Sequence, residues 1–236
     1  MLIKQNIQLN KHTMKTLKFL VLPVVLSAFF VLVSATDVSK EVERIHSSVN
    51  VLREFDHMKE SIPHNLIAEY KGIVIIPRLI NAGFGIGAKR GKGVAMVRMD
   101  DGRWSDPVFV TLTGGSIGAQ IGVQSVDLVL VFRHKGVLAR VKNGDFTLGG
   151  DVSAAAGPVG RSSSANTDYA LEAEVYSYSR SRGLFAGVSL NGSSLSIDKT
   201  ADHEFYGDNM SSPEIFETGK SNDAAVMELK HTLGGL

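Results

Sequence analysis

Cysteine is absent from this sequence. Its absence excludes disulfide stapling, an acylated lipobox, and any structural zinc site completed by thiolates. A strong charge of one sign is missing as well. The 25 basic residues nearly balance 24 acidic ones, for a formal charge of +1, so the global charge carries no signature of nucleic-acid binding. A membrane-spanning length of apolar sequence is also lacking. The run from Phe19 to Val33 is about 15 residues long and carries Pro23, whereas a spanning helix needs about 20.

What stands around that run is informative. Lys4, Lys11, Lys15 and Lys18 are the only charges in the first 35 residues, and the run ends in Val33-Ser34-Ala35. A basic stretch, a short apolar run and small residues before a cut is the layout of a secretory signal. Cleavage is expected before Thr36, retention of the run as an anchor is the alternative, and Met14 is an alternative start. Removing residues 1–35 takes away four lysines and leaves the chain at about −3. The remaining 201 residues suit one domain. That domain has to rely on packing alone.

The charge is unevenly spread. Lys71 to Arg103 carries seven basic residues against Asp100 and Asp101, a net of +5, whereas Asp198 to the end carries eight acids against three lysines, a net of −5. Such a chain either pairs with itself within the fold or presents a basic face to an anionic surface.

Val38, Val42, Ile45, Val49 and Leu52 recur at steps of four and three, which marks an amphipathic helix of about 20 residues. Between Asp37 and Glu60 its charges sum to −2. Helices that lie in membrane surfaces usually have a basic polar face, so this one is expected to dock onto the core. Pro63 sits at a helix start and His64 to Tyr70 reads as a short helix. Strand patterns follow at Gly72–Ile76, Ala82–Ala88, Val94–Met99, Trp104–Leu112 and Val126–Phe132, with Asp100-Asp101-Gly102 as a hairpin turn. A turn is expected at Lys135-Gly136, and another at Asn143-Gly144 before Asp145–Gly150. Leu171–Tyr178, Leu184–Leu190 and Ser194–Ile197 complete the strands. Ser212-Pro213-Glu214 starts a short helix, and Asp223 to Leu233 forms a closing one. Glycine inside so many strands points to bulges, close backbone approach and curvature. The fold class is α+β, a curved glycine-rich antiparallel β-sheet or partial barrel with an N-terminal amphipathic helix and short C-terminal helices.

Catalytic motifs are weak. Gly114-Gly115-Ser116-Ile117-Gly118 matches the nucleophile elbow G-x-S-x-G, but no helical period follows it, and nothing brings His134, His203 or Asp151 to Ser116. Gly85 to Lys92 imitates dinucleotide and P-loop glycines but lacks the helix start and the hydroxyl residue. Ser196-Ile-Asp-Lys199 lacks the companion motifs of penicillin-recognising enzymes. His46, His57 and His64 are spaced by 11 and 7, which is no local metal pair. No metal and no cofactor are expected. Lys89-Arg90-Gly91-Lys92 is the densest basic cluster and reads as a loop between two strands. It is either a charged hairpin tip that keeps a strand edge soluble or a clamp for lipid phosphates.

Lys71-Gly-Ile-Val-Ile-Ile-Pro77, Ala82-Gly-Phe-Gly-Ile-Gly87, Asp101-Gly-Arg-Trp-Ser-Asp-Pro107, Gly118-Ala-Gln-Ile-Gly122 with Asp127, Leu148-Gly-Gly150, Ala156-Gly-Pro-Val-Gly-Arg161, Tyr178 to Leu190 and Phe205-Tyr-Gly207 follow one another in order. This series resembles the SYLF lipid-binding domain family, which has secreted bacterial members and actin-associated yeast and animal ones. Beside the signal peptide over 1–35 and the amphipathic helix over 36–62, the resemblance implies a SYLF domain over 63–236. It implies non-catalytic binding of anionic phospholipids with phosphoinositide-like head groups. Together with the leader it places the protein in the periplasm or outside the cell, peripherally associated with a membrane, where actin is not an expected partner. Charge alone picks the contacts: Lys89, Arg90 and Lys92, supported by Lys71 and Arg78. Arg161, Arg180 and Arg182 form a second basic group that could equally pair with the acidic tail. The alternative function is a structural or interaction protein of the cell envelope that binds a protein partner without lipid preference.

Overall fold

The computed structural model describes residues 39–58, 62–142, 146–150, 154–157, 173–181, 184–185, 188–208 and 210–236. The leader, Val38, Asn143-Gly144, Asp151, Arg161 and Arg182 lie outside them. One compact unit runs from Lys40 to Leu236. Its elements are α1 (Lys40–Asp56), α2 (His64–Glu69), β1 (Gly72–Val97), β2 (Val108–Phe132), α3 (Lys135–Lys142), β3 (Phe146–Leu148), β4 (Ala154–Ala156), β5 (Val175–Ser181), β6 (Leu184–Phe185), β7 (Ser193–Ile197), α4 (Lys199–Tyr206), α5 (Ser212–Glu217) and α6 (Ala224–Gly235). The strands make a seven-stranded, strongly curved α+β sheet in the order β3-β7-β2-β5-β4, with β1 beside β2 and β6 beside β5. All pairs are antiparallel except β4 with β5.

The curvature comes from one folded ribbon. A straight strand of β1's 26 residues would span about 85 Å, yet the Arg98 N–H at its far end donates to the Lys71 carbonyl at its near end, 2.9 Å away. β1 therefore turns back on itself, and β2 follows it from Ala95↔Val108 to Gly72↔Phe132. Register shifts at Ile76/Leu79 and Phe84/Ile86 provide the bends. Glycine makes the crossing sterically possible. A Cβ on Gly93 would overlap the Ile75 carbonyl, and one on Gly83 would press on the Gly87 Cα. One half of β2 pairs with β7 and the other with β5, so the ribbon joins both ends of the sheet.

Alternation along the ribbon feeds two apolar cores. Ile73, Ile75, Val94, Met96, Phe109, Val129 and Val131 face Ile45, Val49, Leu52 and Phe55 of α1 together with Val226 and Leu229 of α6. Val74, Ile76, Leu79, Val110, Leu112, Leu128 and Leu130 face the other way, toward Leu138, Val141, Phe146, Leu195, Ile215 and Phe216. The expected docking of the amphipathic helix is thus observed. So is the hairpin turn, where Gly102 takes φ +83° and Arg98 pairs with Trp104.

Two local expectations are corrected. Lys89 to Lys92 is not a loop between strands but mid-β1, paired with Gly114 to Thr111. Its glycine serves close packing, because a Cβ on Gly91 would strike Ile76. Lys135-Gly136 is not a turn but the start of α3, whose Leu138 and Val141, one turn apart, are buried. The strand expected over Leu184–Leu190 is limited to Leu184–Phe185 among the described residues. Helix α4 was not anticipated; the Asp198 carboxylate caps it by accepting from the Ala201 N–H.

Candidate anion-binding site

α1 packs across β1 with its Lys40, Glu43, Arg44 and Ser47 facing Pro77, Arg78, Ile80 and Lys92, and an open cleft of about 400 Å³ lies between them. The spacing 40, 44, 47 puts these helix residues on one face. The fold of β1 brings the other cations in: Arg78 comes from the bulge before the crease and Lys92 from the strand beyond it.

Arg78 is the one non-glycine residue with positive φ among the described residues, at 55°. A left-handed arginine is uncommon and persists only where its surroundings fix it. Here its N–H donates to Asp127 Oδ1 at 3.0 Å, while Asp127 Oδ2 accepts from Arg180 at 2.6 Å. Arg180, 10% exposed, also pairs with Glu54. The bulge is thereby tied to a half-buried charge network, and the Arg78 guanidinium is left 72% exposed, with Glu43 at 3.9 Å.

Asp198, at the start of α4, pairs with two of the residues that line the cleft. Its Oδ2 accepts from Arg44 Nη1 at 3.2 Å and from Lys92 Nζ at 2.8 Å. Burial opposes its ionisation, but the hydrogen bond and charge of Lys92 and the charge of Arg44 outweigh it and hold the carboxyl below its ordinary range. Arg44 is further fixed by the Phe109 ring, 5.1 Å from its guanidinium carbon. Four cations thus meet two carboxylates, Glu43 and Asp198, leaving +2 in an open cleft. Arginine forks and lysine ammonium groups at such spacing suit phosphate oxygens.

The residues picked from sequence divide. Arg78 and Lys92 line the cleft. Arg90 shares the outward face of β1 with Lys92 and is exposed. Lys71, just before β1, is exposed and does not line the cleft. Lys89 points inward: it is 3% exposed, its Nζ donates to the Ser189 carbonyl, and burial lowers its pKa. Arg180 pairs with Asp127 and Glu54, not with the acidic tail. That tail does pair with the basic half elsewhere, through Asp198 with Lys92. Lys40 and Arg44 were missed. Their signal was the i, i+4, i+7 spacing of Lys40, Arg44 and Ser47, which a charge sum around the whole helix conceals.

The motif look-alikes fall on strands. Gly114 to Gly118 lies inside β2, where Ser116 pairs with Gly87, so there is no strand-to-helix elbow. Gly85 to Lys92 lies inside β1 with no helix start behind it. Among the described residues no three His, Asp or Glu side chains group as metal ligands, and no helix is long and apolar enough to cross a membrane.

Comparison with known proteins finds relatives of this sequence. The family model described as "Ysc84: Las17-binding protein actin regulator" matches residues 113–236. SH3 domain-containing YSC84-like protein 1 of Homo sapiens is 39% identical over 166 residues, covering 67% of this chain and 48% of its own length. The Xenopus laevis protein of that name is 37% identical over 167 residues, covering 68% and 50%. LAS seventeen-binding protein 3 of Saccharomyces cerevisiae is 37% identical over 157 residues, covering 65% and 34%. The chain spans about half the length of these animal relatives and a third of the yeast one. With a family model matched over more than half its length, the chain belongs to the Ysc84 family, the SYLF domain proteins that its ordered motifs resemble.

Proposed function

We propose that this protein binds anionic phospholipids at a membrane surface, without catalysis, and that the cleft between α1 and β1 receives the phosphates. The observation that supports this most is the convergence of Lys40, Arg44, Arg78 and Lys92 on one open cleft. Its volume of about 400 Å³ falls in the range of small-ligand sites. Several cations spread around it favour a head group with more than one phosphate, as in phosphoinositide-like lipids. The basic and apolar leader supports export, which puts the membrane surface in the periplasm or outside the cell. An exported protein meets no actin, so in this reading the partner is the lipid surface.

The test is cosedimentation of residues 36–236 with neutral and anionic vesicles at low and high salt, beside an Arg78→Ala/Lys92→Ala variant. Each cation near an anionic surface contributes about 1 kcal/mol, so the variant should bind roughly 30-fold more weakly. Salt should weaken the wild type steeply. A wild type indifferent to vesicle charge would overturn the reading and favour recruitment by an envelope protein.

A further inference from the structure

Exposed large apolar side chains are ordinary when scattered. Here three of them occupy one corner. Phe84 and Ile86, each 79% exposed, flank the point where β1 turns back, and Val123, 77% exposed, lies beside them on β2 through its pair with Ala82. Polar residues usually serve where a chain only needs to turn. Phenylalanine and isoleucine at the tip call for another explanation.

The surroundings indicate what this corner meets. Ile80, 41% exposed, leads from the corner into the basic cleft. Val123 lines a second cleft, of about 640 Å³, that also holds the ion pair of Arg180 with Asp127, and Arg78 lines both clefts. No acidic residue occurs from Pro77 to Met99 or from Pro107 to Val126, so the two strands of the crease themselves carry only basic charge toward an anionic surface. Each side chain stands almost clear of the protein instead of lying along it. Three such side chains offer roughly half of the ~800 Å² that each partner buries in a stable protein interface, but they suit a fluid hydrocarbon phase that closes around them. The corner is also held in shape, since Gly83 and Gly87 pack backbone to backbone.

We propose that the crease is a membrane wedge: Phe84, Ile86 and Val123 enter the acyl region of an anionic bilayer while the cations beside them hold lipid phosphates. This rests on the anionic-lipid reading above and adds insertion, and hence a fixed orientation, to it. It predicts that binding has an apolar part that salt does not screen.

The experiment uses residues 36–236, which include the whole compact unit with both cores. A Phe84→Trp variant is mixed with anionic vesicles carrying bromine on the acyl chains. The introduced indole should be quenched, whereas the native Trp104, 6% exposed, should not be in the parent protein. A Phe84→Ser/Ile86→Ser variant, which leaves the charge unchanged, should partition to anionic vesicles at least about tenfold more weakly and keep the parent's thermal midpoint. Its binding of soluble inositol trisphosphate should match the parent's. Vesicle binding without quenching would overturn the wedge and leave the head-group reading standing. Failure to bind either vesicles or inositol trisphosphate would remove that reading and the wedge with it. A parent that sediments as a dimer and becomes monomeric in the double Ser variant would assign the corner to self-association and overturn the wedge.

Discussion

Asp198→Asn removes one negative charge from between two cations and changes little else in shape. The Asp198 side chain is 12% exposed, that of Arg44 11% and that of Lys92 48%. Asparagine keeps an oxygen to accept from the start of α4, where it is as good a cap as aspartate. Two opposite effects follow. The cleft's charge rises from +2 to +3, and at about 1 kcal/mol per charge the variant should bind anionic vesicles about fivefold more tightly. The fold loses a carboxylate that accepts two charge-assisted hydrogen bonds, at a cost of about 1–2 kcal/mol. The pH dependence separates these effects. Because the folded pKa lies below the unfolded value, ionised Asp198 stabilises above about pH 4, and that contribution disappears as pH falls through the folded value. Urea unfolding should therefore show the parent ahead at pH 7 and the gap narrowing as pH falls below about 4. A folded variant that binds vesicles no better than the parent would refute the idea that Asp198 limits the cleft's charge. A stability gap that does not narrow as pH falls below about 4 would show that charge pairing is not what the carboxylate contributes.

Three further outcomes test the architecture. Gly93→Ala should cost about 3 kcal/mol or more in urea unfolding, because its Cβ would overlap the Ile75 carbonyl. Gly115→Ala, with open space at its Cβ position, should stay within about 0.5 kcal/mol. Asp127→Ala removes the acceptor shared by the Arg78 N–H and the Arg180 guanidinium. It should lower stability by about 3 kcal/mol and, by releasing the Arg78 bulge, weaken vesicle binding as well. Asp202 is 2% exposed, and burial above all raises its pKa to about 6 although the Phe109 N–H and the Ser212 hydroxyl donate to it. A folded pKa above the unfolded value means stability declines as pH rises through about 6. Asp202→Asn should then gain on the parent by roughly 1 kcal/mol between pH 5 and 6 and little more above that, read from chemical denaturation at both values.

What could be read from the sequence was whatever short-range pattern dictates. The stripe Ile45, Val49 and Leu52 announced α1 because one helix face must be buried, and that face is the one in the core. Asp100-Asp101-Gly102 announced its hairpin because Gly102 supplies the positive φ. Lys89 to Lys92 misled for the same reason. Glycine among lysine and arginine is a local turn signal, but Gly91 answers to Ile76 and Leu79, far away along the chain. Lys135-Gly136 repeats the lesson, since burial of Leu138 and Val141 outweighs the glycine at the first turn of α3. Lys40 and Arg44 were hidden differently: a helix has faces, and its net charge averages over them.

The features that defeated local reading are the ones that assemble the site. On a straight strand Arg78 and Lys92 would stand about 45 Å apart, beyond the reach of any single head group. They line one cleft because the two halves of β1 cross where Gly91 and Gly93 leave room. The same crossing forces a corner in the ribbon, and Phe84 and Ile86 occupy it. Close-packing glycines, paired cations and an apolar tip are therefore consequences of one fold-over. A substitution that straightens β1, such as Gly93→Ala, should separate Arg78 from Lys92 and move the corner away from both, abolishing vesicle binding in whatever fraction of the protein remains folded.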